Sequence, residues 1–504
     1  MNMPLAKTII GTFLASFLLS LLLVWPASAQ QPPAPERPLV LVPGLLGSSL
    51  CRPGADGQPI VVWGSIDALG HFPSLAVDSD ANEIVPCGLL REISFLGIFS
   101  QTVYAPIVER LEAAGYREGE TLFVFDYDWR LSVFDNAELL AAFVDAELPG
   151  GGAFDVLAHS MGGLIARTYA LEEGGADRIA RLISAGTPWR GSVQVFELLR
   201  DGWGLANNFM GGLEGFRRTV ASFPSTFEMI PHYEGCCASG TAAGFDATSA
   251  DAWSSLNWSG IAGDVLPDLA AVAARQARLR RIIAQALPAT IEEALVIGVD
   301  QRTPEHYELL PGEGEARLEV RTSWEGDGTV MRDSARLPQR VTYPTSFATH
   351  DAILSDAAVQ DFVLAALAQG PDAAIAAVPV RERTDILTAL GALVELVGVA
   401  IETDQPAYRT GSTGKVTVHL RLDVEDPVDT DAIRMSIVQP DGSALPVPLA
   451  PDPQASDPSN PFEQSFSGAF ETGAGAGGLA VTVTLNAADD EPRIATRIVP
   501  VLAQ

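Results

Sequence analysis

A serine hydroxyl becomes a nucleophile when a sharp turn presents it beside a base. Ser160 has the surroundings for such a turn. It lies in Phe154-Asp155-Val156-Leu157-Ala158-His159-Ser160-Met161-Gly162-Gly163, a short apolar run, then a serine between small residues, then a helix start. Small residues two positions before and after the serine let strand and helix pass closely, holding the hydroxyl at the carboxyl edge of a sheet. Ala158 stands where glycine is more usual, and its methyl group is a modest intrusion. The plain alternative is a strand-to-helix turn with a capping serine. The clean strand before it and the helical stretch Leu164–Leu171 after it favour a nucleophile.

Such a turn takes its partners in the chain order Ser, Asp or Glu, His, and only six histidines are present. His71 precedes the serine, His159 adjoins it, and His232 falls in a helical insertion. His306 leaves little room for an intervening acid, and His419 sits inside an alternating strand pattern. That leaves His350, in Ser346-Phe347-Ala348-Thr349-His350-Asp351, otherwise readable as a helix-start or surface residue. For the acid, Asp327 lies between Gly326 and Gly328 in a tight loop, although Asp-Gly is also an ordinary turn pair. Asp300 is its rival. A Ser160/Asp327/His350 set would attack an ester carbonyl through an acyl-serine, and that chemistry needs no cofactor. Spacing offers no metal site either: there is no His-x-x-x-His pair, and four scattered cysteines do not make a zinc ligand set.

The elements needed to position these residues can be read from periodicity. Leu39–Val42 is short, apolar and followed by Pro43-Gly44, as is usual for a buried strand of a mostly parallel sheet. Similar strands are predicted at Leu122–Phe125, Phe154–Ala158, Arg181–Ala185 and Ala294–Val299, with helical patterns between some of them, which implies a doubly wound α/β core. Over a hundred residues between the last two strands carry amphipathic helical pieces, including Val193–Leu199 and Leu269–Ala286, and predict a helical cap over about 188–290. From about Leu396, alternating segments at Val397–Thr403, Lys415–Leu422, Ala432–Val438 and Leu479–Leu485 predict an antiparallel, Ig-like β-sandwich. The expected division is an export signal at 1–29, the α/β core with its cap at 30–370, a linker at 371–395 and the sandwich at 396–504.

The 504 residues carry a formal charge of −31 and 47% hydrophobic residues, enough for a large core and too apolar for a disordered chain. The acidic balance excludes nucleic acid as a partner, since phosphates would be repelled. At the N-terminus Lys7 precedes an apolar run from Thr8 to Trp25, and Ala27-Ser28-Ala29 fits signal peptidase cleavage before Gln30. An uncleaved membrane anchor is the rival reading. Either way the chain is expected to work outside the cytoplasm.

Val40-Leu41-Val42-Pro43-Gly44, Tyr127-Asp128-Trp129-Arg130, Ala158-His159-Ser160-Met161-Gly162, Gly186-Thr187-Pro188, Gly326-Asp327-Gly328-Thr329-Val330 and His350 occur in an order that resembles the lecithin:cholesterol acyltransferase family, with its phospholipid:diacylglycerol acyltransferases and lysosomal phospholipase A2. The resemblance spans roughly 38–366. It implies an α/β-hydrolase core with a cap, and transfer of a fatty acyl group from a glycerophospholipid, through an acyl-serine, to an alcohol or to water. It assigns Ser160 as nucleophile, Asp327 as acid, His350 as base, and the amides of Leu45 and Met161 as oxyanion donors. By the same resemblance Cys51 and Cys87 close a lid-like loop with a disulfide, and Trp63 inside it meets lipid; a packed loop aromatic is the alternative. Cys236 and Cys237 could form a vicinal bridge, remain thiols or cross-pair. Arg130 and Arg190, each after a tryptophan, are read as partners of buried carboxylates in preference to substrate contacts. The expected partner is a lipid ester at a membrane or lipoprotein-like interface. An exported esterase or lipase without transfer activity is the near alternative, and a non-catalytic envelope binding protein is the reading from another class. The sandwich could dock a partner, an envelope polymer or the cap, or simply stabilise the chain.

Overall fold

The computed structural model describes residues 35–377, except 55–57, 78–83, 96–98, 203–206, 208–209, 238–244, 246, 248, 262–264, 311–313 and 339–343, and residues 396–502, except 406–407, 423–432, 441–442, 456–462, 476 and 486–492. The expected export signal and the stretch 378–395 of the expected linker lie outside the described residues.

Six strands form one parallel sheet, in the spatial order Thr345–Ser346, Glu292–Gly298, Ile179–Ala185, Phe154–His159, Leu39–Val42 and Leu122–Val124. Every residue of Leu39–Val42 and of Phe154–His159 is buried, because helices cover both faces. Side-chain alternation then decides which helices each strand meets. Val40, Val42 and Val156 join the cluster that holds Leu140 and Val144 of the helix Val133–Glu147 and Leu164 of the helix Met161–Glu172. Leu39, Leu41 and Leu157 join the opposite cluster, with Ile107 and Leu111 of the helix Ala105–Ala113 and Val359 and Val363 of the helix Ala357–Gln369. Each such side chain, fully buried, is worth about 1.5–3 kcal/mol. The result is an α/β-hydrolase core.

Between Ile179–Ala185 and Glu292–Gly298 the chain forms the helices Gln194–Asp201, Gly212–Ala221, Pro224–Glu228, Ala250–Ser255 and Leu269–Ala284. One link from this cap into the core is Glu228. Its buried carboxylate accepts from Ser132 Oγ (2.7 Å) and from the Val133 amide (2.8 Å), so a cap residue caps a core helix. Burial pushes the Glu228 carboxyl up to about 7 against these bonds and the nearby Arg275.

Two features depart from expectation. After Glu292–Gly298 the chain makes a long antiparallel hairpin, Gln301–Leu310 with Arg317–Gly326, which no strand pattern announces. Its charged residues (Arg302, Glu305, Glu308, Arg317, Glu319, Arg321) and the internal Pro304 hide it, the proline being accommodated at a register shift between Pro304 and His306. The expected linker also begins as structure, since Pro371–Ala377 is a helix with Ala374 buried.

The tail is a two-sheet sandwich. One sheet is ordered Leu396–Thr403, Thr413–Leu422, Glu463–Glu471, Ala450–Pro451; the other is Tyr408–Arg409, Arg493–Leu502, Gly477–Leu485, Ile433–Val438, Ala444–Val447. Pairing is antiparallel apart from Tyr408–Arg409 beside Arg493–Leu502. Val416, Val418 and Leu420 alternate inward from one sheet to meet Leu479, Val481 and Val483 from the other. Glu463–Glu471 and Arg493–Leu502 are the two long strands added to the four that alternation predicts, with the short strands Tyr408–Arg409, Ala444–Val447 and Ala450–Pro451.

Candidate active site

The carboxyl ends of the parallel strands converge, as ligand sites in such sheets do. At the end of Phe154–His159 the chain reverses at Ser160, with φ 53° and ψ −128°, a conformation that costs a non-glycine residue about 1–3 kcal/mol. The close packing expected around this turn is present. A Cβ added to Gly162 would lie 2.4 Å from the Pro43 carbonyl oxygen, and one added to Gly44 would lie 2.7 Å from Ser160 Cβ. Glycine is needed at both positions because the first strand's exit loop lies directly against the serine.

His350, after the sheet-edge strand Thr345–Ser346, places its Nε2 2.9 Å from Ser160 Oγ and its Nδ1 2.7 Å from Asp327 Oδ2. The carboxylate can only accept, so Nδ1 carries the proton and Nε2 is left to receive the serine's. Asp327 is itself fixed: its Oδ1 accepts from the amides of Thr329 (3.0 Å) and Val330 (2.7 Å), and its carbonyl accepts from the His350 amide (2.8 Å). Burial pulls the imidazole's pKa down, but the Asp327 charge and hydrogen bond, with the Asp351 charge, outweigh it and raise the pKa above the usual histidine value. The rival acid Asp300 instead turns the chain into the hairpin, at φ 61°, its amide donating to the Trp324 carbonyl (2.7 Å). The structure thus brings Ser160, His350 and Asp327 together.

The exit loop Pro43–Ser48 is held on several sides. The Pro43 carbonyl accepts from Tyr127 Oη (2.9 Å), Leu46 O from Trp63 Nε1 (3.0 Å) and Ser48 O from Trp129 Nε1 (3.0 Å), while Gly47 N donates to Gly44 O (3.0 Å). Leu46 is kept at φ 65°. The amides of Leu45 and Met161 come directly after Gly44 and Ser160, the two sides of the close approach between this loop and the serine turn.

Trp63 is buried, as the packed loop aromatic of the alternative reading would be. It packs edge-on against Phe72 and Trp129, and its indole N–H donates to the Leu46 carbonyl of the exit loop. The loop around it is closed by a Cys51–Cys87 disulfide. Cys236 and Cys237 are thiols with sulfurs 2.8 Å apart. Arg130 is buried in a two-pronged pair with Asp128 (2.8 and 2.6 Å), whereas Arg190 reaches a backbone oxygen, that of Asp333, at 3.5 Å. Tyr104 escapes the sequence reading altogether. It belongs to no motif, and the groups it touches at the site lie more than fifty residues away.

The profile of the lecithin:cholesterol acyltransferase family matches residues 82–261, which include Ser160 with its strand and helix. Over these residues the chain is similar to that family. This lecithin:cholesterol acyltransferase-like segment is 28% identical over 140 residues to the phospholipase A(1) LCAT3 of Arabidopsis thaliana, a match covering 25% of this chain and 30% of that protein. The chain therefore spans less than a third of the curated relative it matches. Similar solved structures include the mature lipase BlEst2 of Bacillus licheniformis, at 14% identity over 64% of this chain and 89% of that one (TM-score 0.33). Phospholipase PlaB from Legionella pneumophila is similar at 9% identity over 93% and 92% of the two chains (TM-score 0.31).

Proposed function

We propose that this chain is an exported, serine-dependent enzyme of lipid esters, moving a fatty acyl group from a glycerolipid or phospholipid through an acyl-serine to an alcohol or to water. The observation that carries the reading is His350, bonded at one nitrogen to Ser160 Oγ (2.9 Å) and at the other to Asp327 (2.7 Å). As Ser160 Oγ attacks the ester carbonyl, its proton passes to His350 Nε2. Asp327 holds the tautomer and stabilises the imidazolium. The carbonyl oxygen becomes negative within reach of the Leu45 and Met161 amides, each such donor being worth about 10²–10³ in rate. His350 then gives the proton to the departing alcohol, and the acyl-serine is left for an acceptor whose hydroxyl proton returns to His350. The similarity to the lecithin:cholesterol acyltransferase family supports a lipid ester as donor. The apolar run before Ala27-Ser28-Ala29 supports export, and no helix among the described residues is long and apolar enough to cross a membrane.

Labelled phosphatidylcholine, incubated with purified enzyme in the presence and absence of a sterol or diacylglycerol, tests the reading. A new labelled ester is the result expected of a transferase, and free fatty acid alone would identify a hydrolase. Neither product, with wild type and Ser160→Ala indistinguishable, would reject the enzyme reading in favour of a binding role.

A further inference from the structure

His159 sits beside the nucleophile but takes no part in the steps above, and Tyr104 lies in the chain between two unrelated elements. Both are almost wholly buried, with their rings edge to face. Tyr104 Oη lies 2.8 Å from the Gly44 amide and 2.7 Å from His159 Nδ1, and His159 Nε2 lies 3.0 Å from the His350 carbonyl oxygen.

Only one arrangement of protons satisfies this chain. A backbone carbonyl accepts, so His159 must carry its proton on Nε2. Burial and the neighbouring His350 push the His159 pKa down to about 3, so the ring is neutral and Nδ1 is bare. Nδ1 therefore accepts, and the donor is the Tyr104 hydroxyl, whose proton burial holds well beyond the usual phenol range. The Gly44 amide, a donor by nature, bonds the phenol oxygen. The bonds run in one direction: Gly44 N–H to Tyr104, Tyr104 O–H to His159, His159 Nε2–H to His350 C=O.

The ends of this chain are the two parts of the site that must keep register with the serine. Gly44 precedes Leu45, whose amide faces the oxyanion in the reading above. The His350 backbone is held at its amide by Asp327 and at its carbonyl by His159. We infer that Tyr104 and His159 form a positioning latch, which fixes the oxyanion loop against the backbone of the general base; this rests on the acyl-transfer reading of Ser160. His159 is thus a positioning residue, neither a second base nor a proton carrier. The latch also explains why a polar side chain sits fully buried next to the nucleophile in place of an apolar one, since each of its nitrogens has a bonded partner.

The test compares wild type with Tyr104→Phe, His159→Ala and His159→Gln on a soluble short-chain ester, together with the rate of labelling by a fluorophosphonate. Misplacing an oxyanion donor or base by about 1 Å costs on the order of 10²-fold. Tyr104→Phe, lacking one oxygen atom, is therefore expected to lower kcat and the labelling rate together, by about 10–100-fold, with KM little changed. His159→Ala should behave like it. Glutamine can offer an N–H to His350 and an oxygen to Tyr104, so His159→Gln should recover most of the loss. A loss of kcat below twofold in folded Tyr104→Phe, or His159→Gln no better than His159→Ala, would overturn the latch. If His159→Ala does not fold, Tyr104→Phe decides alone. If wild type itself is not labelled, the acyl-serine reading fails first; if wild type and Tyr104→Phe are labelled equally fast, only the latch fails.

Discussion

The carboxyl edge of the parallel sheet and the C-terminal sandwich are built by opposite rules. Of the four non-glycine residues with positive φ among those described, three (Leu46, Ser160 and Asp300) flank the site, and none lies in the sandwich. At the edge, Ser160, His159 and Asp327 are buried polar groups, each bonded to a partner far away in sequence. In the sandwich, inward positions such as Val416, Val418, Leu479 and Val481 follow simple alternation. Strain persists only where the surroundings over-determine it, so the concentration of positive φ at one edge marks where stability has been exchanged for chemistry. Substitutions at the edge should therefore reduce turnover more than stability, and substitutions inside the sandwich should do the reverse.

The largest effect belongs to Ser160→Ala. Loss of a nucleophile of this kind costs up to about 10⁶ in kcat, and here it should abolish acyl-enzyme formation in a burst assay while the melting curve stays close to wild type. Next comes Asp327→Asn, expected to lower turnover by roughly 10³–10⁴ because the tautomer is no longer enforced. Near-normal turnover in that variant, with loss in Asp300→Asn, would move the acid to Asp300. The same variant has a pH signature. His350 must be neutral to act, and its pKa is raised, so activity is lost as pH falls through a value above about 6.5. Removing the Asp327 charge leaves burial as the dominant influence, and the acidic limb of kcat/KM should move to lower pH.

In the sandwich, Leu479 is fully buried, and Leu479→Ala should cost about 2–5 kcal/mol of that domain's unfolding free energy in denaturant titrations. Turnover of the folded protein should stay within a factor of two. The smallest effect tests the contact between the two regions. Arg302 of the hairpin lies 3.3 Å from Glu402 and 3.2 Å from His419 Nε2 of the sandwich. The Arg302–Glu402 pair is partly exposed, so Arg302→Ala should cost about 0.2–1 kcal/mol by thermal melting. A large fall in turnover there, with stability intact, would break the separation between the two regions, since the hairpin runs directly into Asp327.

How much the sequence revealed follows the same division. Local order made Ser160 legible, because the elbow is written in ten consecutive residues. Chain order and the scarcity of histidines pointed to His350 and Asp327, which the structure places in contact with each other and with Ser160 through the His350 ring. The inward alternation of the sandwich was legible for the same local reason. Three things were not. The hairpin Gln301–Gly326 is half-solvated and interrupted by Pro304, so neither continuous apolarity nor clean alternation marks it. Trp63 carries no local sign that its indole answers Leu46 O, and the resemblance left a lipid-facing and a packed place both open. Tyr104 is invisible because all its polar contacts at the site are tertiary.

The most direct test of the central claim is to treat the full-length, folded protein with a fluorophosphonate and map the adduct by peptide mass spectrometry. A single adduct per chain on Ser160, absent from Ser160→Ala and strongly slowed in Asp327→Asn, is the predicted result. Ester turnover that continues with Ser160 unlabelled, or an adduct formed at another residue with the same loss of activity, would contradict it.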